Sequence, residues 1–270
     1  MPVVQGEQTW PRDPVTGVIR GAEPFAFGDG TDAILFLHGW TSTPRELRFL
    51  AERCAAAGYR CEGLLLKGHG TRVEDLIPTR FPEYLAETAA AFDGLAARHR
   101  RVFICGLSMG GLLALHMALS RKVAGLILIA PFLLPWGATF GIPNRWLIGR
   151  VPLPAMLAKG AGGPIEDTVG RQGHLAYRSM PSASMVSVVA AGRAIVPSLG
   201  KVEVPTMVFH AIGDRTSDIR GSNRLMDRLG AKDKTLRTFL RGNHVLTLDY
   251  PRAELEGEAL QWLSEHRLVN

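Results

Sequence analysis

Arg101-Val102-Phe103-Ile104-Cys105-Gly106-Leu107-Ser108-Met109-Gly110-Gly111-Leu112-Leu113-Ala114-Leu115-His116 reads as an apolar strand, a sharp corner at residues 106–110 and a helix of small and aliphatic residues. The corner is a G-x-S-x-G nucleophile elbow in the strand-turn-helix context that the motif requires. A Cβ at Gly106 or Gly110 would collide with neighbouring backbone in so tight a turn, and the strained corner pushes the Ser108 hydroxyl into the open. The bare pattern carries limited weight, because roughly one random chain in eight with this glycine and serine content would contain it. What raises it is the flanking strand and helix, together with the partners a serine nucleophile needs further along the chain.

Outward from the elbow, strands and helices alternate. Residues 33–38 form a short continuous apolar run suited to a central strand covered on both faces. Residues 44–57 follow with helical spacing of Leu47, Leu50, Ala51 and Cys54, and Gly58 supplies a stop. Residues 60–66 read as a strand, 82–98 as a helix, and 124–130 as a buried strand after the elbow helix. The pattern resumes with a strand at 205–211, a helix at 217–229, a strand at 234–240 and a helix at about 251–268. Such alternation predicts an α/β fold: a mostly parallel central sheet with helices on both faces, in one domain over 1–270. The core spans 21–130 and 201–270, and about 131–200 is an insertion.

Active sites in such sheets lie beyond the carboxyl ends of the strands. Those ends carry His38-Gly39-Trp40-Thr41, Ser108, Gly213-Asp214 and Gly242-Asn243-His244. Serine, acid and histidine thus occur in the chain order nucleophile, acid, base. A serine hydroxyl needs a base to take its proton and a third group to hold that base's tautomer. Of the eight histidines, His244 is best placed. His38 and His69 flank glycines near strand ends and are expected to shape the site. Asp214 follows its strand closely, whereas its rival Asp218 belongs with the next helix. For the oxyanion, the backbone N–H groups of Met109 and Trp40 are the candidates.

Net charge +6 and a pI near 9.5 invite a nucleic-acid reading, and Arg98-His99-Arg100-Arg101 is the densest basic cluster. It lies between a helix and a strand without interleaved aromatics, so no nucleic-acid partner is expected. The basic surface suits at most weak contact with anionic membranes or acidic partners. Residues 123–143 are apolar enough to suggest a membrane span, but Pro131 and Pro135 interrupt them, so a strand and an apolar loop are expected and no transmembrane segment. The amino terminus lacks a secretory signal pattern. Cys54, Cys61 and Cys105 have no metal-ligand spacing, and buried thiols in a reducing, cytoplasmic setting are expected. No metal or organic cofactor is implied.

Gly21-Ala22-Glu23-Pro24-Phe25, Leu37-His38-Gly39-Trp40-Thr41-Ser42-Thr43-Pro44, Gly68-His69-Gly70-Thr71, the elbow, and His244-Val245-Leu246-Thr247-Leu248-Asp249 resemble the small carboxylesterase and monoacylglycerol lipase branch of the α/β-hydrolases. The likeness runs from about residue 21 to the carboxyl end and is weakest in the insertion. It implies that Ser108, Asp214 and His244 are the triad, Trp40 and Met109 the oxyanion donors, and about 131–180 a cap over the acyl pocket. Two departures stand out: Asn243 occupies a position where the family commonly has a small residue, and Ser217 one where an apolar residue is usual.

The insertion is rich in apolar side chains, including Phe132, Trp136, Trp146, Leu147 and Ile148, which fits a pocket for a hydrophobic acyl chain. Polar groups able to grip a charged substrate head are few in it. The expected function is a serine esterase for neutral carboxylic esters, with monoacylglycerols among the candidates, acting through an acyl-serine. A thioesterase, an acyltransferase or a perhydrolase would use the same residues. A binding protein on a hydrolase scaffold is the rival from another class, and turnover of a chromogenic ester separates it.

Overall fold

The computed structural model describes residues 10–133, 149, 152–159 and 163–267. Seven strands form one sheet in the order β1 (Phe25–Phe27), β3 (Arg60–Gly63), β2 (Asp32–Leu37), β4 (Arg101–Leu107), β5 (Leu126–Ile129), β8 (Thr206–Ala211), β9 (Lys234–Phe239). All pairings are parallel except β1 with β3. The antiparallel edge is absent from the sequence reading, because Phe-Ala-Phe is too short to show a period. Gly63 is required beside it: a Cβ there would lie 2.3 Å from the Phe25 ring.

Alternation along the central strands builds two cores. Ala33, Leu35, Leu37, Val102, Ile104, Leu126, Leu128 and Val208 face one side. Ile34, Phe36, Phe103, Cys105, Leu107, Ile127, Ile129 and Phe209 face the other. Both faces are apolar because helices cover both. The first side receives α3 (Phe81–Ala96), α4 (Met109–Ala118) and α7 (Ile219–Arg228), through residues such as Phe92, Leu112 and Leu225. The second receives α1 (Arg45–Ala56) and α8 (Arg252–Arg267), through Leu47, Leu50, Leu255 and Trp262. A one-turn α2 (Val73–Leu76) precedes α3.

The basic cluster at 98–101 is structural. Arg100 and Arg101 clamp the fully buried Asp32 at 3.1 and 2.8 Å, Arg267 stands 3.7 Å away, and His99 contacts Gly30 O. Two arginines therefore neutralise one buried carboxylate at the amino-terminal end of the central strands, remote from the elbow. All three cysteines are free and buried.

Between β5 and β8, the described residues contain a hairpin of β6 (Met156–Ala158) and β7 (Ser179–Pro181), a short α5 (Thr168–Gln172) capped by Asp167, and α6 (Ser182–Ile195) running into a 3-10 turn at Val196–Lys201. The stretch Ser182–Lys201 is long and apolar enough to cross a membrane by length and composition. In this fold Met185, Val188, Val189 and Ile195 pack into the first core instead.

Candidate active site

The elbow is strained where the motif demands it. Ser108 has φ 55° and ψ −113°, a backbone state that L-residues avoid. The turn is over-determined: Ser108 N donates to Ile129 O at 2.9 Å, and Ser108 O accepts from Phe132 N at 3.1 Å. A Cβ on Gly110 would lie 1.9 Å from Leu37 O, and one on Gly106 2.3 Å from Gly110 O. Ser108 is only 6% exposed, so its hydroxyl opens into a cavity rather than onto the outer surface.

That cavity, about 620 Å³, is lined by Trp40, Ser108, Met109 and His244, which brings the predicted nucleophile, base and oxyanion donors to one space. His244 Nδ1 lies 2.7 Å from Asp214 Oδ2. The other oxygen, Asp214 Oδ1, accepts from Thr216 N at 2.7 Å and Ser217 N at 3.0 Å. Burial alone would raise this carboxyl's pKa, but the neighbouring His244 and the hydrogen bond from His210 outweigh it and hold Asp214 well below the usual carboxylate range. Asp218 is elsewhere engaged. It caps α7 by accepting from Arg220 N at 3.0 Å and pairs with the Arg220 guanidinium.

The two departures from the resemblance meet around this acid. Asn243 Oδ1 accepts from Arg215 N at 3.0 Å, tying the His244 loop to the Asp214 loop. Ser217 Oγ donates to Pro131 O at 2.9 Å, anchoring the acid's loop to the start of the insertion. Each polar side chain thus replaces packing with a specific bond.

His210, read from sequence only as a strand residue, touches Asp214 at 3.2 Å. His38 and His69 shape the site without reaching it. Both are fully withdrawn from water, which pushes their pKa values down, so they are neutral. His69 Nδ1 donates toward the Leu66 and Lys67 carbonyls, leaving Nε2 to accept from Thr41 N at 3.0 Å. His38 does the same, donating from Nδ1 to Gly39 O and accepting from Leu66 N at 3.1 Å. The first loop is therefore fixed with Thr41 at φ 68°. Gly39 N donates to Glu46 Oε2 at 3.0 Å, and Glu46 Oε1 meets His174 Nε2 at 2.9 Å. Burial would raise Glu46, but the His174 contact and the bonds from Ser42 and Gly39 N hold it at about 2.

The insertion presents more polar groups to the cavity than the few expected from the sequence. Lys159, Arg171 and His174 line it beside the apolar Phe132, Met180, Met185 and Val188. Trp136, Trp146, Leu147 and Ile148, the pocket residues expected from sequence, lie outside the described residues. Glu46, Lys159 and His174 carried no sequence signal, since their partners are distant in the chain, whereas His210 lies four residues before Asp214 but inside a buried strand that gave it no apparent role. Among the described residues, no group of three or more His, Cys, Asp or Glu side chains is arranged to hold a metal ion.

A model of the Alpha/beta hydrolase family matches residues 34–258. The chain belongs to this family. The family assignment agrees with the parallel sheet and with an elbow at the end of β4. The chain is 29% identical to a thermostable monoacylglycerol lipase of Bacillus sp. (strain H-257), over 92% of this chain and 97% of that one. It is 23% identical to a carboxylesterase of Bacillus subtilis (strain 168), over 90% and 96% of the two chains. A solved structure from work on the metagenome-derived lipolytic enzymes LipS and LipT superposes with a TM-score of 0.83 at 28% identity, covering 92% of this chain and all of that one.

Proposed function

We propose that this α/β-hydrolase is a serine carboxylic ester hydrolase acting on esters with an apolar acyl chain, monoacylglycerols among them. The observation that carries this is the strained Ser108 sharing one cavity with His244, whose Nδ1 is 2.7 Å from the buried Asp214. Ser108 Oγ attacks the ester carbonyl carbon while His244 Nε2 takes its proton. Asp214 accepts from His244 Nδ1–H and so keeps Nε2 free to act as base. The backbone N–H groups of Trp40 and Met109 stabilise the tetrahedral oxyanion. His244 returns the proton to the departing alcohol, leaving acyl-Ser108, and water activated by the same histidine releases the acid. The relatives named monoacylglycerol lipase and carboxylesterase support this chemistry.

The insertion acts as a cap in this reading. Phe132, Met180, Met185 and Val188 supply the apolar wall for the acyl chain. The three free, buried thiols support a reducing compartment.

Labelling with a fluorophosphonate, together with hydrolysis of p-nitrophenyl esters and monoacylglycerols of increasing chain length, tests the proposal. Ser108→Ala is expected to lose labelling and to lower ester turnover by several orders of magnitude with an unchanged fold. Labelling that survives in this variant places the nucleophile elsewhere.

A further inference from the structure

The cap is strongly cationic. Residues 131–201 hold seven Lys and Arg but only two acids, Glu166 and Asp167, so they carry five of the chain's six net positive charges. Both acids already accept from backbone N–H groups, and Glu166 also lines the cavity. Glu166 Oε2 accepts from Gly242 N at 3.1 Å, and Asp167 caps α5 through Val169 N at 3.0 Å.

Two of these cations, among the described residues, face the cavity that holds Ser108. Lys159, just after β6, lines the same space as Ser108 and donates from Nζ to Thr41 Oγ1, on the loop next to Trp40. Among the described residues no carboxylate stands at salt-bridge distance from it; Glu46 acts on it only through space, with its own oxygens held by His174 and Gly39 N. Burial lowers its pKa to about 8, the expected response of an ammonium removed from water without a bonded counter-ion. Arg171, also on the cavity wall, adds positive potential while its guanidinium donates to Ile165 O at 2.8 Å. A half-buried cation that folding has partly desolvated but not paired gains from an incoming anion, because part of the cost of burial has already been met.

We propose that Lys159 forms a subsite for an anionic group, a carboxylate or a phosphate, carried by the ester that Ser108 cleaves. The proposal rests on the esterase reading and narrows it. Neutral esters reach Ser108 through the apolar wall alone, whereas an ester with a suitably placed anion also engages the ammonium. The anion belongs either to the far end of the acyl group or to the alcohol, and the two sources are separable by experiment.

Two matched pairs decide between them. The first compares the mono-p-nitrophenyl ester of adipic acid with its methyl-capped diester, which places the charge on the acyl side. The second compares 1-butyroylglycerol 3-phosphate with 1-butyroylglycerol, which places it on the alcohol side. In one pair the anionic member is expected to have a kcat/KM about tenfold higher, through a lower KM, as a charge-assisted contact would give. Lys159→Met should bring that ratio to about one, and Lys159→Arg should retain most of it. Lys159→Gln serves as the neutral variant if the methionine variant does not fold. Cleavage of both neutral members with no anion preference in either pair overturns the proposal, as does a ratio unchanged in a folded neutral variant. Failure to cleave any of the four esters or to take up fluorophosphonate overturns instead the esterase reading on which it rests.

Discussion

His210 and His244 share one oxygen of Asp214: His244 Nδ1 reaches Oδ2 at 2.7 Å, and His210 Nε2 reaches the same atom at 3.2 Å. The tautomer of His210 follows from its neighbours. Its Nε2 faces two acceptors, Asp214 Oδ2 and Ser217 O at 3.1 Å, so it carries the hydrogen. Its Nδ1 shares a hydrogen bond with Ser222 Oγ at 2.7 Å. A fully buried imidazole thus pins the carboxylate beside His244.

His210→Phe removes this donor while keeping a ring in the space. The expected outcome is a loss of roughly 10- to 100-fold in kcat, with KM within about twofold, because the acid loses its orientation and the substrate its base but not its pocket. Steady-state kinetics on a neutral ester checks this; a raised KM with full kcat would assign His210 to substrate binding.

Asp214→Asn and Asp218→Asn should separate widely. The first is expected to lower kcat about 10³- to 10⁴-fold, since an amide cannot hold His244 in the tautomer that accepts from Ser108. The second loosens the α7 cap and its Arg220 pair at a cost of about 1 kcal/mol, with activity nearly retained. Thermal melts read the stability change and kinetics the catalytic one.

Gly110→Ala should yield no soluble folded protein. Its methyl group would lie 1.9 Å from the carbonyl of Leu37 on a central strand, where nothing can move aside. Soluble expression and circular dichroism are the measurements, with Gly94→Ala, whose Cβ has nothing within 4 Å, as the tolerated control.

Glu46 makes stability fall in acid. Its folded pKa of about 2 is below the ordinary 4.5, so its contribution is complete above about 4.5 and is lost as pH falls toward 2. Glu46→Gln should be less stable than the parent at neutral pH by about 1–3 kcal/mol, and the difference should vanish near pH 2 to 3. Denaturant melts at a series of pH values test the sign: a gap that widens in acid would mean the carboxyl is protonated in the fold.

Val188→Trp should shorten the acyl chains accepted. Each added CH₂ is worth at most about 0.8 kcal/mol of transition-state binding until the pocket is full. Filling the Val188 wall moves that limit to shorter chains and leaves acetate esters the least affected. A chain-length profile of kcat/KM that does not change would place the acyl group along another wall of the cavity.

Legibility tracked the range of the interactions. The elbow, the alternating strands and the order Ser108, Asp214, His244 were readable in the chain because each depends on local rules: glycines at a tight turn, apolar period, and reactive residues just past strand ends. That Asp218 caps a helix while Asp214 stands beside His244 also follows a local rule, since the residue opening a helix is suited to capping it. The antiparallel β1 escaped because three residues show no period. What lines the cavity was decided only by tertiary structure. The Glu46–His174 contact joins residues 128 apart, and the bond from Lys159 to Thr41 spans 118. No periodicity links such pairs. Their chemistry follows from desolvation, and the chain alone does not show which polar side chains the fold will remove from water or what it will place beside them.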